Sequence, residues 1–294
     1  MVARRLFLLA SILPASLAFA ADLKRAQEPS LSPDGSRIAF AWQGDIWVAP
    51  SAGGQAVRLT VHPADDATPM WTADGRRIVF SSNRSGMPDL YSMAADGTDI
   101  RRLTTDPASQ VPASVSADGK WIYGTTNAWG SIGLFRVSVD GGEPTRLTSH
   151  PLETFSQPSV SPDGTRVVYT RGSGGSWRNP YASGSAAGDL FVADAGVPLR
   201  NHRPVAATRA AETAASWLKD GRILFLSNRS GWPNLWVMDS NGGRARQLTR
   251  FSEGGVPRRP RASLDGTKAV FEYDSEIWLL NIATGEHRRV AITV

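Results

Sequence analysis

A tight Asp-Gly turn recurs six times along this chain, at Asp34, Asp74, Asp118, Asp163, Asp220 and Asp265, and it constrains the fold more than any other feature. The intervals are 40, 44, 45, 57 and 45 residues. Asp-Gly between apolar runs signals a hairpin, because its short turn needs positive φ angles that these two residues tolerate. Each turn follows a short strand and precedes an apolar one: RIAFAW, RRIVFSS, KWIYGTT, TRVVYTR, GRILFLS and TKAVFEY. A third strand comes next: DIWVAP, DLYSMA, GLFRVS, DLFVAD, NLWVMD and EIWLLN. A glycine turn then leads to a fourth strand, marked by Arg58-Leu59-Thr60, Arg102-Leu103-Thr104, Arg146-Leu147-Thr148 and Gln247-Leu248-Thr249. Units four and six lose that last signature.

Four antiparallel strands in some 40 to 45 residues make one propeller blade. In the second strand Ile38 and Phe40 point to one face and Ala39 to the other, and Ile78, Val79, Phe80 and Val167, Val168, Tyr169 repeat the pattern. Both faces are apolar, so each sheet needs a neighbour on either side, and a closed ring supplies both. The expected fold is therefore all-β: a six-bladed β-propeller of four-stranded antiparallel blades near 28–60, 66–104, 110–148, 155–209, 212–249 and 256–294. Each unit holds its four strands in order, which predicts closure without a shared, strand-swapped blade. Pro29, Pro69, Pro112, Pro158 and Pro260 recur just before the Asp-Gly turns. Proline cannot donate to a sheet ladder, so the first strand of each blade belongs at the channel edge, with the loops entering it crowded around one mouth.

Composition agrees: 28 glycines, 19 prolines and 10 tryptophans suit many turns and short aromatic strands, and helical composition is confined to a short stretch near 206–215. The chain has no cysteine, which excludes disulfides, thiolate metal sites and a cysteine nucleophile. Residues 1–20, with Arg4 and Arg5 before an apolar run and an Ala18-x-Ala20 cleavage pattern, read as a signal peptide. That run is interrupted by Pro14 and falls short of the roughly 20 residues needed to span a bilayer. The expected product is periplasmic, with no membrane span after signal removal. Beyond residue 20 there are 30 basic and 27 acidic residues, well interspersed, so nucleic acid is not an expected partner.

The units MWTADGRRIVFSSNRSGMPDLYSMAADGTDIRRLT and SWLKDGRILFLSNRSGWPNLWVMDSNGGRARQLT resemble TolB-type propeller repeats. Within that group the chain is most similar to the amino-terminal six-bladed propeller of tricorn-type proteases. This likeness rests on the opening EPSLSPDGSRIAFAWQGDIWVAPSAGGQAVRLT and on the glycine-rich insertion RGSGGSWRNPYASGSAAGDLFV in unit four. The resemblance implies a propeller outside any catalytic domain, filtering or guiding peptides. The sequence ends at RRVAITV without a second propeller, PDZ-like or peptidase domain, so protease activity is not carried over. It also lacks the α/β domain that precedes the TolB propeller.

Motifs for a nucleophile elbow, a zinc protease helix, a phosphate loop and a dinucleotide fold are absent, so no catalytic residue and no cofactor is expected. His62 and His150 occupy matching loops, with Asp65, Asp66 and Glu153 close behind. They present either a titratable ring at the mouth or repeat-encoded turns, and the turn reading is preferred. Arg84 and Arg229, in the two Ser-Asn-Arg turns, are expected to pair with a strand-start acid such as Asp89. Trp71 and Trp217 read as blade packing. The unit-four insertion, 172–188, carries Trp177, Arg178 and Tyr181, residue types that dominate binding hot spots. The basic cluster Arg258, Arg259 and Arg261 suits an acidic partner or a peptide carboxylate. The leading expectation is an exported, non-catalytic propeller that binds or gates peptides or a periplasmic protein. Two alternatives stand beside it: a detached substrate-gating domain of a split tricorn-like serine peptidase, and a metal-assisted propeller hydrolase or lyase built on His62 and His150.

Overall fold

The computed structural model describes residues 23–148, 150, 153–172, 188–206 and 208–294. The expected signal peptide, residues 1–20, and Trp177, Arg178 and Tyr181 lie outside these. Among the described residues every regular element is a strand, and no helix is long and apolar enough to cross a membrane. The stretch with helical composition splits instead between two strands that end at Ala206 and begin at Glu212.

Blade one contains β1 (Gln27–Leu31), β2 (Arg37–Trp42), β3 (Asp45–Pro50) and, after the short β4 (Gly54–Gln55), β5 (Val57–Arg58). Blade two is β6 (Asp66–Trp71), β7 (Arg77–Ser82), β8 (Asp89–Ala94) and β9 (Arg101–Arg102). Blade three is β10 (Gln110–Val115), β11 (Trp121–Trp129), β12 (Ser131–Ser138) and β13 (Thr145–Arg146). Blade four is β14 (Phe155–Val160), β15 (Arg166–Arg171), β16 (Asp189–Asp194) and β17 (Arg200–Ala206). Blade five is β18 (Glu212–Trp217), β19 (Ile223–Ser227), β20 (Asn234–Met238) and β21 (Arg246–Gln247). Blade six is β22 (Arg258–Ala262), β23 (Lys268–Tyr273), β24 (Glu276–Asn281) and β25 (His287–Arg289). All six are four-stranded antiparallel meanders, so units four and six keep a fourth strand despite losing its sequence signature.

The two apolar faces of each second strand are buried in different seams. Ile38 and Phe40 pack with Val270 and Ile277 of blade six, whereas Ala39 packs with Ile78 and Phe80 of blade two. Val79 in turn meets Ile122 of blade three. All eight second-strand residues in these contacts are completely buried. Burying such a side chain contributes roughly 1.5–3 kcal/mol for the larger aliphatic and aromatic residues, and here that gain exists only between blades.

The fourth-strand signature has a physical reading. The threonine hydroxyl accepts a hydrogen bond from a third-strand N–H: Thr60 from Ile46 at 2.9 Å, Thr104 from Leu90 at 3.0 Å, and Thr148 from Leu134 at 2.9 Å. The arginine reaches the acid that starts the third strand, Arg58 to Asp45 and Arg102 to Asp89. The glycine before the fourth strand answers to the neighbouring blade. A Cβ on Gly97 would lie 2.8 Å from the Leu59 carbonyl of blade one, and one on Gly141 2.7 Å from that of Leu103 in blade two.

The same contact recurs where the ring closes, with one addition. A Cβ on Gly53 would meet the Ala291 carbonyl at 2.8 Å, and the strand β26 (Ile292–Thr293) pairs in parallel with β4. The N–H groups of Gly54 and Ala56 donate to the carbonyls of Ala291 and Thr293, and that of Leu23 donates to Ile292. The blades share no strand, as the repeat order predicts, but a short parallel clip between the last residues and blade one accompanies their packing.

Candidate functional site

The first strands β1, β6, β10, β14, β18 and β22 line the central channel, where the prolines placed them. Each breaks register with its second strand, a bulge that leaves an unpaired residue facing the channel. In five blades the residue at the bulge has positive φ: Glu28 (58°), Thr68 (50°), Gln157 (54°), Ala214 (53°) and Arg259 (49°). Such angles are uncommon for residues with a Cβ, and contacts between blades hold several of them in place. The Glu28 carboxylate accepts from the N–H of Thr68, and the Glu28 N–H donates to Glu272 at 2.6 Å. The Gln157 side-chain carbonyl accepts from the Ala214 N–H at 2.9 Å. Arg259 of blade six forms an ion pair with Glu28 of blade one.

The channel holds two cavities. One, of about 210 Å³, is lined by residues of blades two to six, including Gln157, Arg258, Arg259 and Arg261. The other, of about 540 Å³, opens toward the Asp-Gly turns and is lined by Trp71, Trp217 and Lys219 among others. Arg261 borders both, and its guanidinium donates to the Pro69 carbonyl at 3.1 Å, crossing from blade six past the inner edge of blade one to blade two. Burial in the channel, with Arg259 alongside, pushes the Arg261 guanidinium down to about 10 against the pull of Glu272. Burial likewise pushes the Glu272 carboxyl up and Arg259 down.

The remaining sequence candidates sit apart from this wall. His62 is exposed, and its Nδ1 accepts from the Ala64 N–H at 3.0 Å in its own loop. The N–H of the exposed Asp65 donates to the Asn83 side-chain carbonyl at 2.9 Å, and its own carbonyl accepts from the Asn83 N–H. His150 lies 4.0 Å from Glu153, and Glu153 pairs with Arg171, which holds its carboxyl below the usual range. No group of three or more potential metal-ligating side chains gathers among the described residues. Asp66 is buried, and both of its oxygens accept from Arg84 at 2.8 Å, so it serves the blade interior.

That pair corrects the expected partner of Arg84. Asp89 is taken by Arg102 and Ser85, while Arg84 turns back to the start of the first strand, because Asp66 faces Ser82 across the sheet. Arg229 repeats the choice with Glu212. Trp71 and Trp217 are buried in blade seams as expected, with Arg37 and Arg166 of the preceding blades over their rings at 4.5 Å and 4.9 Å. Sequence reasoning missed Glu28, Gln157 and Glu272. Their one signal is position, since Glu28 and Gln157 directly precede the recurrent proline.

Six meander blades around a channel, with bulged inner strands, define a TolB-like β-propeller. The chain belongs to the family described as the tricorn protease N-terminal β-propeller domain, whose model matches residues 25–286. It is 28% identical over 264 residues to tricorn protease homolog 1 of Streptomyces coelicolor, covering 88% of this chain and 24% of that protein. A crystal structure of the tricorn protease superposes with a TM-score of 0.76 at 20% identity, over 92% of this chain and 26% of that one. TolB from Acinetobacter baumannii gives 0.61 at 20% identity, over 81% and 57%. The chain thus spans about a quarter of the length of the tricorn relatives it resembles. Puromycin hydrolases and oligogalacturonate lyases also share the fold, and at this low identity the likeness extends to the fold alone.

Proposed function

We propose that this chain is an exported, non-catalytic propeller that binds peptides or a periplasmic protein at its channel mouth and gates their access. The carrying observation is a channel wall made of bulged inner strands on which arginines 258, 259 and 261 converge, at the end where the long inter-blade loops enter. Rigid blades holding variable loops around such a cavity suit recognition. Membership of the tricorn propeller family favours peptides as the ligand class. It also supports the related reading of a substrate-gating module for a tricorn-like peptidase.

Fluorescence anisotropy with a panel of labelled peptides tests the proposal, comparing residues 21–294 with the same chain lacking 174–187. Saturable binding that weakens without the loop is expected. Binding that is non-saturable for every peptide would overturn the reading, and equal affinity for the two chains would remove the loop from it.

A further inference from the structure

The smaller channel cavity has an unusual charge balance. Its wall includes three arginines and no aspartate or glutamate. Arg258 is exposed at the rim, Arg259 is half-buried, and Arg261 reaches the waist between the two cavities. The two acids near them are engaged by other groups: Glu28 accepts from Arg259 and from the Thr68 N–H, and Glu272 accepts from the Glu28 N–H. Neither acid lines the cavity, so the charged side chains on its wall are those of Arg258, Arg259 and Arg261. Hydroxyls of Ser156 and Thr213 and the Gln157 amide border the same space.

Guanidinium groups are planar forks that match the oxygens of carboxylate and phosphate, and they attract such anions most strongly where water is scarce. Among the described residues the Arg261 guanidinium, with five donors, makes one hydrogen bond, to the Pro69 carbonyl. A cavity of about 210 Å³ has room for a small oxyanion or for one acidic group on a larger ligand, but not for a folded segment.

We propose that this cavity is an oxyanion-binding site, in which Arg258 captures a carboxylate or phosphate group at the rim and Arg259 and Arg261 seat it in the channel. Arg261, which also borders the larger cavity, stands at the inner limit of the site. It goes beyond the peptide-gating reading and does not depend on it.

Calorimetric titration of residues 21–294 at constant ionic strength, with inorganic phosphate, glutarate and chloride, tests this directly. One of the two oxyanions should bind at least tenfold more tightly than chloride, and Arg258→Gln and Arg261→Gln should each weaken it several-fold, with Arg261→Lys intermediate. Preference for phosphate would identify a free phosphate-type ligand. Preference for glutarate, shared by a peptide with a free acidic end but not by its amidated form, would identify a carboxylate ligand. Equal binding of all three anions, or unchanged oxyanion affinity in the variants, would overturn the site. Should Arg261→Gln fail to fold, the exposed Arg258 carries the test alone. Peptide binding that survives loss of oxyanion binding would leave the gating reading standing without this site.

Discussion

Arg84 grips both carboxylate oxygens of Asp66 at 2.8 Å, although the two residues stand eighteen apart in sequence and Asp89 lies nearer. The Asp66 side chain is fully shielded and that of Arg84 is 15% exposed. Removing one partner of a shielded pair leaves an uncompensated charge, which costs about 3–5 kcal/mol. Arg84→Ala should therefore destabilise the protein by about 3 kcal/mol. Arg102→Ala should cost less, because its side chain is 38% exposed. Urea denaturation of both variants checks the order.

Blade three lacks this pair. Gln110 stands where Asp66 and Glu212 stand in blades two and five, and Ala128 replaces the arginine. Gln110 is completely buried, and neither polar atom of its amide has a hydrogen-bond partner among the described residues. An unsatisfied buried polar group costs about 1–3 kcal/mol, so Gln110→Leu should raise the unfolding midpoint rather than lower it. The double substitution Gln110→Asp with Ala128→Arg should exceed the sum of its single changes in a double-mutant cycle.

Stability should fall in acid through the Asp-Gly turns. The Ser32 and Ser36 hydroxyls hold Asp34 at about 2, and the Ser161 hydroxyl with Thr165 holds Asp163 there, both below the ordinary 3.8. A carboxyl lowered in the folded state contributes stability above its unfolded value and loses it as pH falls, here between about 4 and 2. Glu212 and Glu272 act oppositely, since burial raises them and their ionisation costs stability as pH rises past the ordinary value. Equilibrium unfolding of the Asp34→Asn, Asp163→Asn double variant across the acid range should show a shallower decline than the parent.

The clip at ring closure should be measurable by itself. Ile292 is buried in the seam between blades six and one, and its carbonyl accepts from Leu23. Ile292→Ala should cost about 2–4 kcal/mol through the lost contacts. Ile132→Ala, on an exposed side chain, should be near neutral. Thermal melts of the two variants provide the comparison.

The blade count, strand order and inner placement of the proline strand could be read from the sequence because they follow from local rules: Asp-Gly turns, two-faced apolar strands and a residue without an N–H. The partner of Arg84 could have been read too. Aligning the repeats shows acid and arginine present together in blades two and five and absent together in blade three, whereas choosing the nearest acid selects Asp89. Glu28, Thr68 and Gln157 were not legible, because what unites them is a backbone angle and a position, while their side chains differ in charge and shape. The arginines at 258, 259 and 261 were visible as a cluster. That all three border a channel cavity depended on the bulge in β22, which sequence pattern does not report.

The bulge contacts carry one last implication. In two seams the accepting side chain, Glu28 or Gln157, addresses a main-chain N–H on the next blade and asks for no particular side chain there. A module that joins its neighbour through a group common to nearly every amino acid can be copied, shuffled or allowed to drift without a matching change next door. Growth of such a wheel by duplication would then meet little resistance at its hub.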